Sequence, residues 1–280
     1  MLSEQDKQFY DQNGYVVARG LFSAEEAAFY RDYYTRLRES GTYPGDELGM
    51  VLHSSADPLK RYPRMIHMHR WDAVSRAWLL DPRLRDALTL LLGRTPYAVQ
   101  TMLYFKPPGA RGQALHQDNY YLRVQGGTCM AAWMALEPCD EANGCLMMVP
   151  GSHTWELLCT VPADTTQSFT DTAVPLPEGC EARPVPMQAG DVLFFNGAMV
   201  HGSNPNTTTD RFRRALIGHY IEGQAEAVAA WYNPVLRFDG AEFSLQASPL
   251  GGKCGVWVER DGKPVLELSG EDFTRDATKL

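Results

Sequence analysis

After residue 96, five short apolar or alternating runs follow one another: Tyr97–Phe105, Thr128–Glu137, Cys145–Val149, Asp191–Asn196 and Arg213–Ile221. Turn-forming residues bound each run, as in Pro107-Pro108-Gly109, Asn143-Gly144, Pro150-Gly151 and Ala189-Gly190-Asp191. Strands in series without long helices between them fold back on their neighbours. The chain is therefore expected to be mainly β, an antiparallel sandwich or barrel rather than a parallel sheet. An aromatic content of 11%, with 13 Tyr and 6 Trp, supplies strand-forming side chains.

Residues 1–95 read differently, as a helix-rich flank. Ser23-Ala24-Glu25-Glu26 is a capping box, followed by apolar residues at helical spacing from Ala27 to Leu37. Asp81-Pro82 pairs an N-cap with a proline at the first helical position. That second helix carries Leu84, Ala87, Leu88, Leu91 and Leu92 on one side and stops at Gly93. Past residue 222, Gly255–Glu259 and Pro264–Leu268 form a hairpin turned by Asp261-Gly262. No linker and no repeat marks a boundary, so residues 1–280 are expected to form one domain: the helix-rich flank over residues 1–95, a β core of about 97–222 and an extension over 223–280.

The net charge of −8 opposes binding to nucleic-acid phosphates, and no apolar stretch is long enough for a membrane span. The polar, acidic start Met1-Leu2-Ser3-Glu4-Gln5-Asp6 does not read as a secretory signal, so the expected compartment is the cytoplasm. The ending Thr278-Lys279-Leu280, one residue short of a Ser-Lys-Leu address, leaves the peroxisome as a weak alternative. The six cysteines (129, 139, 145, 159, 180 and 254) contain no CxxC pair and are read as reduced thiols.

Chemistry concentrates in Leu115-His116-Gln117-Asp118. In an extended strand, residues two apart face the same side, which would bring the His116 imidazole and the Asp118 carboxylate to one point. A second histidine, His201, follows the strand-like run after Gly190-Asp191 and precedes Gly202-Ser203. Two imidazoles and a carboxylate make a facial triad that binds iron(II) and leaves room for a co-substrate and dioxygen. The same three ligands could also hold zinc. Downstream stands Arg211-Phe212-Arg213-Arg214-Ala215-Leu216-Ile217. These arginines are either a solvated strand end, as expected for Arg211, or, for Arg213, an inward guanidinium that needs an anionic partner. A ligand carboxylate held by a bidentate fork would supply one.

Taken together, His116-Gln117-Asp118, Asn143-Gly144-Cys145 with Pro150-Gly151-Ser152-His153, Gly190-Asp191 with His201-Gly202-Ser203, and Phe212–Leu216 resemble the phytanoyl-CoA dioxygenase (PhyH) family. The resemblance spans roughly residues 8–222 and includes Phe9 and Asn13-Gly14-Tyr15-Val16-Val17. It implies a double-stranded β-helix (jelly-roll, cupin-like) core and an iron(II)- and 2-oxoglutarate-dependent dioxygenase acting with O2. His116, Asp118 and His201 fall on the iron ligands. Arg213 falls on the arginine for the far carboxylate of 2-oxoglutarate, with Ser203 placed to assist. Gln117 and Trp133 match positions that line the co-substrate pocket. The halogenating relatives carry a small residue where Asp118 stands, so hydroxylation or a related oxidation of a C–H bond is implied. His153 reads as structural, and His219 as a core residue or a support for a ligand.

For the small-molecule substrate the sequence offers only hints. Lys60-Arg61-Tyr62-Pro63-Arg64-Met65-Ile66-His67-Met68-His69-Arg70 is a basic stretch in an acidic chain. Over a pocket mouth, Arg64 and His67 could meet a phosphonate, a carboxylate or an acyl-CoA, and Tyr120 could furnish an aromatic wall for these or for a secondary metabolite. Two rival readings stay open: a cupin-type metal enzyme that does not use 2-oxoglutarate, and a non-catalytic relative. Oligomeric state is not readable from sequence.

Overall fold

The computed structural model describes residues 2–40, 43–44, 55–270 and 273–274. Its helical flank begins with α1 (Glu4–Asn13) and α2 (Ala24–Glu39), separated by strand β1 (Tyr15–Ala18). Ser23 and Glu26 close the expected capping box of α2. The short α3 (Pro58–Arg61) leads through β2 (Met65–Ile66) to α4 (Ala73–Leu79) and α5 (Pro82–Leu92). Asp81 accepts from the Arg83 amide at the start of α5, and Gly93 ends it with a left-handed φ of 73°.

The core strands are β3 (Tyr97–Tyr104), β4 (Gln113–His116), β5 (Cys129–Ala135), β6 (Leu146–Met148), β7 (Val161–Pro162), β8 (Thr172–Ala173), β9 (Arg183–Val185), β10 (Val192–Asn196), β11 (His201–Ser203) and β12 (Ala215–Ile221). Between β4 and β5 lies one helical turn, α6 (Asn119–Leu122). After β12 come β13 (Ala227–Val228), β14 (Val235–Leu236), β15 (Glu242–Phe243) and β16 (Gln246–Ala247). The larger, eight-stranded sheet runs β1-β10-β5-β12-β3-β14-β15, with β2 also on β3. The smaller sheet runs β4-β11-β6-β9. Pairing within both is antiparallel, as expected for a double-stranded β-helix.

Period-two alternation sorts the larger sheet's side chains. Ala131, Trp133, Leu193, Phe195, Ala215 and Ile217 face the smaller sheet and meet its Leu146, Met148 and Val185. Met130, Ala132, Met134, Phe194, Leu216 and Tyr220 face the opposite way and pack on the helices through Trp78, Leu84 and Leu88. With both faces covered, β5 and β12 are buried at every residue, which is why they read as continuous apolar runs. Burying each large apolar side chain of α5 contributes about 1.5–3 kcal/mol.

Two details depart from the sequence reading. Strand β4 ends at His116, and Asp118 has right-handed helical backbone (φ −63°, ψ −31°) as the N-cap of α6. A turn, not strand alternation, brings Asp118 round to His116. In addition, Cys159 and Cys254 form a disulfide, so not all six cysteines are thiols. Backbone bonds on either side hold the two together, from Cys159 N to Gly255 O (2.9 Å) and from Gly255 N to Leu157 O (2.6 Å). Pairing over that sequence distance has no local signature. The predicted hairpin is present as β18 (Gly255–Arg260) and β19 (Lys263–Leu268), preceded by the two-residue β17 (Gly251–Gly252). The Thr278-Lys279-Leu280 ending lies outside the described residues. Among those described, no helix is long and apolar enough to cross a membrane.

Candidate metal centre and its cavity

Strands β4 and β11 are antiparallel neighbours, and His116 pairs in register with His201. Their rings lie 4.2 Å apart between centroids. Asp118 Oδ1 is 3.5 Å from His116 Nε2 and 3.7 Å from His201 Nε2. One ligand atom from each of the three residues thus falls within 4.8 Å of the others, a cluster able to hold one metal ion. Hydrogen bonding fixes which nitrogen points inward. His116 Nδ1 meets Ala114 O at 2.9 Å and His201 Nδ1 meets Met199 O at 3.0 Å. A carbonyl can only accept, so each Nδ1 carries the proton and each Nε2 offers a lone pair.

The carboxylate is held too. Asp118 Oδ2 faces His219 Nε2 at 3.2 Å, and His219 Nδ1 faces Gln100 Oε1 at 2.9 Å. Burial raises the Asp118 carboxyl, but His201, His116 and His219 outweigh it and leave it well below the usual range. For His201, burial and then the neighbouring His116 lower the imidazole to about 4. Two neutral imidazoles and one carboxylate are the protonation states that a divalent cation needs.

These residues sit in the wall of a cavity of about 590 Å³ between the two sheets. The larger sheet contributes alternate β3 residues Gln100, Met102 and Tyr104, together with Trp133, Phe195 and Ile217. The far wall comes from a loop carrying Thr165 and Phe169–Thr172, and from Trp231 and Tyr232. Of the residues expected from sequence, Trp133, Tyr120 and Arg64 line this space.

Arg213 adjoins it. Its guanidinium carbon lies 5.2 Å from the centroid of Trp133, the side chain is buried, and Nε and Nη1 have no hydrogen-bond partner. Burial lowers its pKa. Its sequence neighbours behave otherwise: Arg214 pairs with Glu137 at 3.0 Å, and Arg211 with Asp140 at the surface, as expected for a solvated strand end. Ser203 accepts from Lys106 Nζ (2.7 Å) and from Gln113 N (3.3 Å), which leaves its own proton free to donate. Lys106 is itself buried, and burial together with Arg213 holds it well below its ordinary value. Arg213 is therefore a buried cation with no ion pair among the described residues, a charge imbalance that an anionic guest corrects.

Two sequence expectations fail. Gln117 does not line the cavity, because it points away as a brace: its amide donates to Ala198 O (2.8 Å) and Glu156 O (3.3 Å), and its oxygen accepts from Leu158 N (2.7 Å). His67 is not in the lining either. It is buried against His69, Trp231 and Tyr232 with left-handed backbone, and burial drives its pKa down to about 2, so it carries no charge for a substrate. His153 is structural as read, packed on α1 and meeting Asp11 O at 3.2 Å. Sequence reasoning missed Lys106 and Gln100; a lysine ending an otherwise apolar strand run was the one available signal.

Known proteins bear on this arrangement. The sequence profile of the phytanoyl-CoA dioxygenase (PhyH) family matches residues 10–215. Phytanoyl-CoA dioxygenase 1 of Oryza sativa subsp. japonica is 27% identical over 252 residues, 79% of this chain and 89% of that one. The peroxisomal phytanoyl-CoA dioxygenase of Bos taurus is 24% identical, over 81% and 71% of the two chains. Among solved structures, the epimerase SnoN, in complex with Fe3+, alpha ketoglutarate and nogalamycin RO, matches with a TM-score of 0.60 at 20% identity, covering 80% and 84%. EctD from S. alaskensis, with 2-oxoglutarate and 5-hydroxyectoine, matches with a TM-score of 0.62 at 23% identity, covering 79% and 76%. At such identities the structures speak to the fold, while the profile covers most of the chain. The chain belongs to the phytanoyl-CoA dioxygenase family of iron- and 2-oxoglutarate-dependent oxygenases.

Proposed function

We propose that His116 Nε2, Asp118 Oδ1 and His201 Nε2 hold the iron, and that Arg213 holds the far carboxylate of 2-oxoglutarate. The observation that carries this reading is the pairing of a three-ligand cluster with a buried guanidinium, Arg213, whose Nε and Nη1 have no partner and which lies one ring away. Ser203 gives its remaining proton to the same carboxylate, and Trp133 stacks between the guanidinium and the cavity. Lys106 holds the Ser203 hydroxyl in place by its 2.7 Å bond. Iron with 2-oxoglutarate and dioxygen supplies the oxidising power, with release of succinate and CO2, and the outcome proposed here is hydroxylation of a C–H bond of a small organic substrate.

The chain's own contribution is placement. Gln100 and His219 hold Asp118 so that Oδ1 faces the two histidines. The aromatic and apolar lining excludes water from the reacting carbon. The cytoplasm, without nucleic-acid or membrane partners, is the proposed setting; the net charge of −8 supports the absence of a nucleic-acid partner, and cell fractionation tests the compartment.

Anaerobic addition of iron(II) and 2-oxoglutarate is expected to give the weak visible band of an iron–2-oxoglutarate chelate. Asp118→Ala should abolish the band, and Arg213→Met should shift its formation to higher 2-oxoglutarate. A band that survives unchanged in both variants would remove the assignment.

A further inference from the structure

The basic stretch at residues 60–70 resolves into one cation at the cavity. Lys60 and Arg61 lie on α3, and Arg70 turns to the carbonyls of Trp231 (2.9 Å) and Asn233 (3.2 Å). None of the three lines the cavity, whereas Arg64 does. Its position follows from pairing. Strand β2 lies antiparallel on β3, with Met65 opposite Leu103 and Ile66 opposite Met102, which sets Arg64 level with Tyr104. Arg64 keeps accessible surface, makes no ion pair among the described residues, and has the Tyr104 phenol as its hydrogen-bond partner. Tyr104, Tyr121 and Tyr232, all in the lining, are its neighbours there. Apart from the triad, His219 and the tyrosine phenols, Asp171 is the other ionisable side chain among the described residues of the lining.

We propose that Arg64, with the Tyr104 hydroxyl, anchors a carboxylate on the substrate, an amphipathic organic acid whose apolar body lies along Met102, Phe169 and Trp231 toward the triad. A guanidinium beside a phenol offers three or more donors in the fork geometry that a carboxylate accepts. One cation suits one such group. A coenzyme A thioester carries several phosphate charges, and among the described residues the lining gives them no further arginine or lysine. The inference rests on the oxygenase reading only for the position of the reacting carbon; the anion subsite stands on Arg64 itself.

The test is a binding titration followed by tryptophan fluorescence, since Trp133 and Trp231 line the cavity. The probes are 4-phenylbutyrate and octanoate against their uncharged amides. They are added to the anaerobic protein loaded with iron(II) and 2-oxoglutarate, and separately to metal-free Arg213→Met, in which Arg213 cannot take the probe. The acids are expected to bind at least about ten-fold tighter than the amides in both preparations. Arg64→Gln should bring that ratio close to one, and Arg64→Lys should retain a several-fold preference, with near-UV circular dichroism checking that each variant folds. The proposal is overturned if neither acid binds, if acids and amides bind alike, or if the preference persists in Arg64→Gln. Should the loaded protein show no chelate band while metal-free Arg213→Met still prefers the acids, the oxygenase assignment fails and the anion subsite survives.

Discussion

In the larger sheet every residue of β5 and β12 is buried, whereas all four residues of β4 in the smaller sheet remain partly accessible. The larger sheet is packed between the helices on one face and the smaller sheet on the other. The smaller one is built from strands of three or four residues, contains an irregular register between His201 and Ser203, and carries His116 and His201. One sheet is thus a stiff backing whose energy comes from apolar contact, and the other presents ligand atoms to a cavity. The cluster lies where partly accessible β4 adjoins buried β11, at the edge of a cavity with room for guests.

That contrast can be broken most sharply at His116. The partners that orient a metal ligand are worth about 10–100-fold in affinity, so losing the ligand itself should weaken iron binding by more than about 100-fold. Because His116 is partly accessible, His116→Ala should change the unfolding free energy of the metal-free protein by no more than about 1 kcal/mol. Iron titration and urea unfolding of one preparation give both numbers. Leu216→Ala in the larger sheet should do the reverse, costing about 2–5 kcal/mol in urea unfolding while the folded fraction still binds iron. A cost below about 1 kcal/mol would mean that the larger sheet is not the main store of stability.

Arg213 lies on the segment that joins the two roles. Arg213→Met should raise the 2-oxoglutarate concentration needed for the chelate band by about 10- to 100-fold, the value of a charge-assisted pair. It should leave stability unchanged or higher, because the buried Nε and Nη1 have no partner to lose. A large drop in stability would show that the guanidinium is a structural post. Gln117→Leu sharpens the distinction from the other side, costing about 1–3 kcal/mol through three lost bonds to the backbone while 2-oxoglutarate binding stays put.

The smallest effect concerns acid. Burial pulls His67 to about 2 and His69 to about 3. Between pH 6.5 and those values the unfolded chain takes up protons that the folded chain refuses, so this stability is full above pH 6.5 and is lost as the pH falls. A non-titrating His67→Asn, which also tolerates the left-handed backbone, should flatten the decline between pH 6 and pH 5 by about 1 kcal/mol. Equal slopes in variant and wild type would show that His67 is protonated in the folded state.

Local physics made the scaffold readable. The capping box at Ser23, the Asp81-Pro82 start, the Asp261-Gly262 hairpin and the five strand runs each depend on neighbours in sequence, and each appears in the fold. The set His116, Asp118, His201 and Arg213 is legible from motifs in combination, although strand alternation accounts for Asp118 incompletely, since a helical turn swings it round. Residues placed by long-range packing were not readable: the brace made by Gln117, the burial of His67 and of Lys106, and the wall of Phe169, Trp231 and Tyr232. The Cys159–Cys254 bond belongs with these, since only the docking of the hairpin brings its two halves together.

Because His116 and His201 are opposite residues on adjoining strands, the gap between two of the three ligand atoms is set by the weave of the backbone before any ion arrives. Evolution or an engineer could lengthen a connection remote from the cavity, such as the Asp261-Gly262 turn, with little consequence. Adding or deleting one residue inside Gln113–His116 would turn the imidazole to the outside of the sandwich. The molecule is thus elastic in its remote turns and unforgiving, to a single amino acid, at the strand that carries His116.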